Sequence, residues 1–159
     1  MSKITIYTDG AARGNPGPGG YGTVLLAGKH RKEIAEGFKY TTNNRMELLA
    51  VIIGLEALKN EGSDVTVYSD SKYVVDAVEK RWVFAWQKKA FKGKKNSDLW
   101  RRFLKVYAVH NVKFIWVKGH SNIPENERCD ELAVEASYQE NLPDDIGYLE
   151  SISSKNNLL

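Results

Sequence analysis

Two stretches sixty-one residues apart are nearly the same and end in a carboxylate: Ile4-Thr5-Ile6-Tyr7-Thr8-Asp9-Gly10 and Val65-Thr66-Val67-Tyr68-Ser69-Asp70-Ser71. Each alternates with a period of two, so each reads as a strand that stops on its aspartate. The alternation puts Tyr7 with Asp9 on one sheet face, and Tyr68 with Asp70 on one face. As parallel neighbours in register, roughly 4.8 Å apart, the two strands would set both carboxylates side by side at one sheet edge. Ionised carboxylates that close repel and raise one another's pKa, so a bare pair is unfavourable.

Two more acids converge on that edge. Thr41-Thr42-Asn43-Asn44 is a helix start signal, followed by the apolar stripe Met46, Leu49, Ala50, Ile53 and Ala57 and an expected end near 60–62. A helix that feeds strand 65–69 through a short turn runs antiparallel to it, so Glu47 in its opening turns comes near Asp70 and Asp9. Glu47, three residues after Asn44, also fits a variant capping box. Residues 112–117 read as a last strand ending on Lys118-Gly119-His120, and a loop to Pro124 leads into a helix over 125–137 with Asp130 in its early turns. If that strand is parallel to the first, Asp130 emerges at the same edge.

Asp9, Glu47, Asp70 and Asp130 together are hard oxygen ligands in a chain with one Cys and three His, a set that favours Mg²⁺ or Mn²⁺ over zinc. Two such ions about 4 Å apart can activate a water and stabilise the departing oxygen of a phosphodiester. A polyanion needs cations as well. Residues 80–105 carry ten Lys or Arg against the single acid Asp98, a local +9 within a chain of net charge +3, which leaves −6 elsewhere. Trp82, Phe84, Trp86 and Phe91 interleave with Arg81, Lys88, Lys89, Lys92, Lys94 and Lys95 around Gly93. The rings alone read as core and the charges alone as a solvated face, but together they favour a phosphate-binding projection.

The remaining chain bounds the fold. The glycine-rich stretch 10–22 reads as a loop that allows close backbone approach. Its G-x-G-x-x-G at Gly17, Gly19 and Gly22 runs into a strand and not a helix, so a dinucleotide site is rejected. A hairpin through Ala27-Gly28-Lys29-His30 leads to a strand over 32–38, residues 71–79 read as a short helix, and Ser97 and Asp98 are placed to cap another through 108. From Gln139 the chain turns polar and reads as a frayed, partly flexible tail that can dock through Ile146, Tyr148 and Leu149. A length of 159 residues with 42% apolar composition suits one domain, 1–138, followed by that tail, 139–159. The lone Cys129, the polar N-terminus and the lack of any apolar run of about 20 residues lead us to expect a cytoplasmic protein without a membrane segment, and a monomer.

Thr8-Asp9-Gly10, Thr42-Asn43-Asn44-Arg45-Met46-Glu47, Tyr68-Ser69-Asp70-Ser71-Lys72-Tyr73-Val74, and Gly119-His120 with Pro124-Glu125-Asn126-Glu127-Arg128-Cys129-Asp130 resemble the motifs of type 1 ribonuclease H, bacterial form, in order and spacing. The resemblance implies an α/β fold, a five-stranded mixed sheet of order 3-2-1-4-5 flanked by helices. It also implies Mg²⁺-dependent cleavage of the RNA strand of an RNA/DNA hybrid, leaving 5′-phosphate and 3′-hydroxyl ends. By motif match Asp9, Glu47, Asp70 and Asp130 become ligands of two Mg²⁺ ions, with Mn²⁺ a possible substitute, and His120 assists proton transfer or product departure. Asn15, Asn43 and Asn44 match positions near the backbones in the hybrid's minor groove, Thr42 the phosphate pocket, Lys72 an RNA contact, and the segment 82–95 with Arg81 the protrusion that grips the DNA strand. Without the match, Asn15 is a turn residue, His120 a surface residue, and Asn43 and Asn44 are as readily helix caps.

Two departures stand out: Ile123 where many relatives carry a second histidine, and Lys72 where glutamine is common. Only two residues precede the first strand, so a separate N-terminal hybrid-binding module is not expected. Integrase-like or junction-resolving DNA nucleases share such a sheet and acids, but would not be expected to combine the Asn-Asn-Arg-Met-Glu run with a basic protrusion. A binding protein holding a structural ion is the non-enzymatic alternative.

Overall fold

A computed structural model describes residues 3–119 and 122–157. Among them five strands form one mixed sheet ordered β3-β2-β1-β4-β5. Alternating apolar and polar residues make β1 (Lys3–Ala12), which pairs antiparallel with β2 (Gly17–Ala27), itself antiparallel to β3 (His30–Thr41). On its other side β1 runs parallel to β4 (Asp64–Ser69), which is parallel to β5 (Asn111–Trp116). The register is the one the near-repeat implies: Ile4 pairs with Val65, Ile6 with Val67 and Tyr7 with Tyr68, and the two tyrosine rings stack 4.8 Å apart.

β1 does not stop on Asp9. Its ladder with β4 ends at Tyr7, but it stays paired with β2 as far as Ala12 opposite Gly19. The glycine-rich stretch read as a loop is therefore mostly strand, and only 13–16 form the turn. Packing supplies the reason. A Cβ at Gly20, Gly22 or Gly37 would overlap the backbone of Ala133, Cys129 or Ala136 in α5 (Pro124–Ser137), so side-chain-free positions let this helix lie directly on β2 and β3.

The opposite face carries the larger core. α1 (Asn43–Glu56) buries Met46, Leu48, Leu49, Ala50, Val51, Ile52 and Leu55, more than one stripe, because it is sandwiched between the sheet and α4 (Ser97–Tyr107). It ends at Glu56, short of the expected 60. Ser71 accepts a hydrogen bond from Val74 N–H and caps α2 (Lys72–Glu79). α3 (Trp82–Lys88) lies within the basic arm, where no helix is expected from sequence. α4 buries Leu99, Trp100, Phe103 and Leu104, but neither Ser97 nor Asp98 caps it: the cap position is Asn96, in a left-handed conformation, and the Asp98 carboxylate turns to Arg45.

Past Gln139 the chain makes specific contacts with the rest of the fold. It forms α6 (Ile146–Asn157), and its anchor is polar. Asp145 is buried, accepting from Thr41 Oγ1 at 2.7 Å and from Arg45 Nε at 2.8 Å, while Tyr148 packs on Tyr40 and Ile146 stays exposed. Among the described residues no helix is long and apolar enough to cross a membrane.

Candidate active site

β1, β4 and the start of α1 bring Asp9, Glu47 and Asp70 together, with one carboxylate oxygen from each within 4.8 Å of the others. Gly10 is the residue that permits it. A Cβ there would lie 2.6 Å from Glu47 N, so β1 and α1 touch backbone to backbone and Glu47 is carried to Asp9. Gly10→Ala is expected to cost about 1–3 kcal/mol by overpacking and to weaken divalent-ion binding; denaturant unfolding and an ion titration measure both.

Asp130, from the second turn of α5, lines the same cleft of about 290 Å³ but stands outside the three-carboxylate group. It is close enough for its charge to raise the pKa of Asp9. The loop that follows β5 begins at the cluster, since a Cβ on Gly119 would lie 3.1 Å from Asp70 Oδ2. His120, the expected proton-transfer residue, lies outside the described residues.

Burial, then the Asp70 charge, pushes the Asp9 carboxyl up to about 7, against the hydrogen bond it accepts from Gly10 N–H at 2.8 Å. Burial and the charges of Asp9 and Asp70 hold Glu47 well above the ordinary carboxylate range. Glu47 Oε2 is buried without a hydrogen-bond partner. Repelling oxygens with one left unsatisfied in a polar cleft fit a hard divalent cation. The capping-box alternative for Glu47 fails: the cap is Thr42, which accepts from Arg45 N–H at 3.2 Å, so Arg45 and not Glu47 holds the capping-box position.

The other expected contact residues fall on both sides of this cleft. Asn43 and Asn15 form a clip: Asn43 N–H donates to Asn15 Oδ1 at 2.9 Å, and Asn43 Oδ1 accepts from Ala12 N–H at 2.6 Å. Asn43 and Asn44 line the cleft and neither caps α1, Asn44 being exposed. Lys72 stands over the Trp116 ring, 4.8 Å from its centre, and the Trp116 indole N–H donates to the Asp70 carbonyl at 3.1 Å. Trp116 therefore continues the β4–β5 ladder one residue further and fixes the Asp70 backbone.

Sequence reasoning did not single out Trp116, nor Asn126, whose buried Oδ1 lines the cleft without a partner. The position of Trp116 at a strand end and of Asn126 one turn before Asp130 were the available signals.

Arg81, Trp82, Lys88, Lys89 and Lys92 sit on the arm, all exposed. Its base is aromatic, as expected: Phe91 is buried, and Trp86 meets Trp100 edge-on at 6.0 Å. Trp100 in turn donates to Tyr73 Oη at 2.9 Å. Trp82 is the exception among the rings, 46% exposed under the Lys80 ammonium. Ala90, Phe91, Gly93 and Asn96 are all left-handed, so the backbone coils tightly and presents Lys88, Lys89 and Lys92 outward with no carboxylate at ion-pair distance among the described residues.

Residues 1–138 match the RNase H family. The chain is 58% identical over 151 residues to a ribonuclease H of Desulforamulus reducens, covering 92% of this chain and 94% of that one. It is 55% identical over 152 residues to a ribonuclease H of Trichodesmium erythraeum, covering 92% and 96%. Among solved structures it resembles LC9-RNase H1, a type 1 RNase H with the type 2 active-site motif, at TM-score 0.78 and 30% identity over 86% of this chain and 72% of that one. It also resembles LC11-RNase H1 in complex with an RNA/DNA hybrid, at TM-score 0.63 and 30% identity over 84% and 95%. A five-stranded 3-2-1-4-5 sheet with acids gathered at its central edge defines the class of the fold. The chain belongs to the ribonuclease H family.

Proposed function

We propose that this protein is an endoribonuclease that hydrolyses the RNA strand of RNA/DNA hybrids with two divalent ions, Mg²⁺ or in substitution Mn²⁺, leaving 5′-phosphate and 3′-hydroxyl ends. The observation that carries this is the cluster of Asp9, Glu47 and Asp70 with its unsatisfied Glu47 oxygen, in a chain of this family. Asp9, Glu47 and Asp70, joined by Asp130 across the cleft, would hold the ions. The chemistry such ions supply there is activation of a water and neutralisation of charge on the phosphate. His120 assists proton transfer or product departure. Asn15, Asn43 and Asn44 meet the hybrid in its minor groove, Thr42 belongs to the phosphate pocket, Lys72 contacts the RNA strand, and Arg81, Trp82, Lys88, Lys89 and Lys92 hold the DNA strand. This unit spans 1–138 and acts as a cytoplasmic monomer.

Comparing cleavage of hybrid, duplex DNA and duplex RNA of one sequence tests the reading. Only the RNA strand of the hybrid should be cut, and comparable cutting of duplex DNA contradicts it. Replacing Lys88, Lys89 and Lys92 together with Gln should weaken hybrid binding and flatten its log-log salt dependence by about 0.7–0.9 for each phosphate the arm no longer holds. An unchanged slope removes the arm from the interface.

A further inference from the structure

The arginines outside the basic arm differ in one respect. Arg31 pairs with Glu33 and Glu125, Arg45 with Asp98 and Asp145, and Arg128 with Glu33 and Glu131. Arg13 has no carboxylate at ion-pair distance among the described residues, yet it is held. Its Nη2 donates to the Ser137 carbonyl at 2.8 Å, and its guanidinium carbon stands 3.8 Å from the centre of the Tyr138 ring. Arg13 N–H also donates to the Pro18 carbonyl at 2.8 Å, closing the 13–16 turn. A ring and a carbonyl orient a guanidinium without neutralising it, and because the Ser137 carbonyl takes only one Nη2 N–H, the other Nη2 N–H is left with those of Nε and Nη1, enough for one planar fork of the kind that receives phosphate.

The placement says which strand. Arg13 is two residues from Asn15, which is clipped to Asn43 at the start of α1. The arm joins that same helix start by another route, through Asn96 and Asp98 on Arg45. Exposed cations thus anchor to the beginning of α1 by two routes, the arm by one and the β1–β2 turn by the other, as the two backbones of a duplex require. Lys39 shares a shallow groove with Arg13 and Tyr138 and adds a second positive charge there.

Resting on the hybrid-cleavage reading above, we propose that Arg13, oriented by Tyr138 and the Ser137 carbonyl, is a contact for a phosphate of the RNA strand. The test is fluorescence anisotropy of a labelled hybrid with the full chain in EDTA across a salt series. Arg13→Gln should weaken binding several-fold at low salt and flatten the log-log slope by about 0.7–0.9, the value for a single phosphate. Arg13→Lys should keep the slope and bind more weakly than wild type, and Tyr138→Leu, which removes the platform and not the charge, should do the same. A hybrid with neutral methylphosphonate linkages in the RNA strand should abolish the difference between wild type and Arg13→Gln. An unchanged slope in Arg13→Gln overturns the proposal, as does a difference that persists on the neutral RNA strand. Failure of wild type to cut any hybrid in Mg²⁺ would instead overturn the reading beneath it, a separate outcome.

Discussion

Glu47→Gln is expected to lower the Mg²⁺-dependent cleavage rate about 10³-fold, or roughly 4 kcal/mol of transition-state stabilisation, while making the metal-free protein more stable. The two effects have one cause. Glu47 is half-buried, with its buried Oε2 unsatisfied beside Asp9 and Asp70, so the carboxylates repel when no cation lies among them. Glutamine keeps the shape and removes one charge. The pH dependence carries the same signature: Asp9 is pushed up to about 7 in the folded protein from an ordinary 3.8, so the folded state retains a proton that the unfolded chain has lost. The contribution of this group to the stability of the metal-free protein is therefore fully present below 3.8 and falls as pH rises toward 7. Added divalent ion should abolish that fall, and Glu47→Gln should shrink it. Thermal unfolding at pH 5 and pH 8, with EDTA or Mg²⁺, reads all of this; a variant less stable than wild type in EDTA at pH 8 contradicts it.

The largest loss of stability is expected at Arg45. Its guanidinium is 2% exposed and bonded on two sides, to Asp145 through Nε at 2.8 Å and Nη2 at 3.0 Å, and to Asp98 through Nη1 at 2.8 Å and Nη2 at 2.7 Å. One residue thereby ties the start of α1 to those of α4 and α6. Arg45→Ala strands the buried Asp145 carboxylate, at a cost of about 3–5 kcal/mol, or a fall in Tm on the order of 10 °C for a chain of this size. Arg45→Lys should recover little, because a point charge cannot serve both forks. Burial pushes the Asp98 carboxyl up, but the hydrogen bonds and charge of Arg45 outweigh it and hold it below 3.8. The stability from that pair is thus present above 3.8 and lost as pH falls through the lowered value, a loss Arg45→Ala should lack. Equal acid sensitivity in the two proteins would contradict the assignment.

What could be read from sequence was what depends on local pattern. The repeat ending at Asp9 and Asp70 encodes strand, face and register at once, and the paired tyrosines 4.8 Å apart bear this out. The position of Glu47 follows from helix direction. Gly20 and Gly22 misled because their purpose lies in α5, more than one hundred residues away, whose backbone they admit. Asp98 resembled a cap because nothing local marks its partner Arg45, and Asp145 resembled part of a polar tail for the same reason. The three-to-one division of the acids was not legible either, since Asp130 is placed by how deeply α5 settles on those glycines.

The most direct test of hydrolysis by a carboxylate-held metal is cleavage of an end-labelled RNA/DNA hybrid by wild type and Asp9→Asn across a Mg²⁺ titration. RNA-strand cleavage by wild type should require Mg²⁺, and Asp9→Asn should be slower by about 10³-fold at every Mg²⁺ concentration, with the fold intact by circular dichroism. Cleavage by Asp9→Asn at the wild-type rate, or by wild type in EDTA, would contradict it.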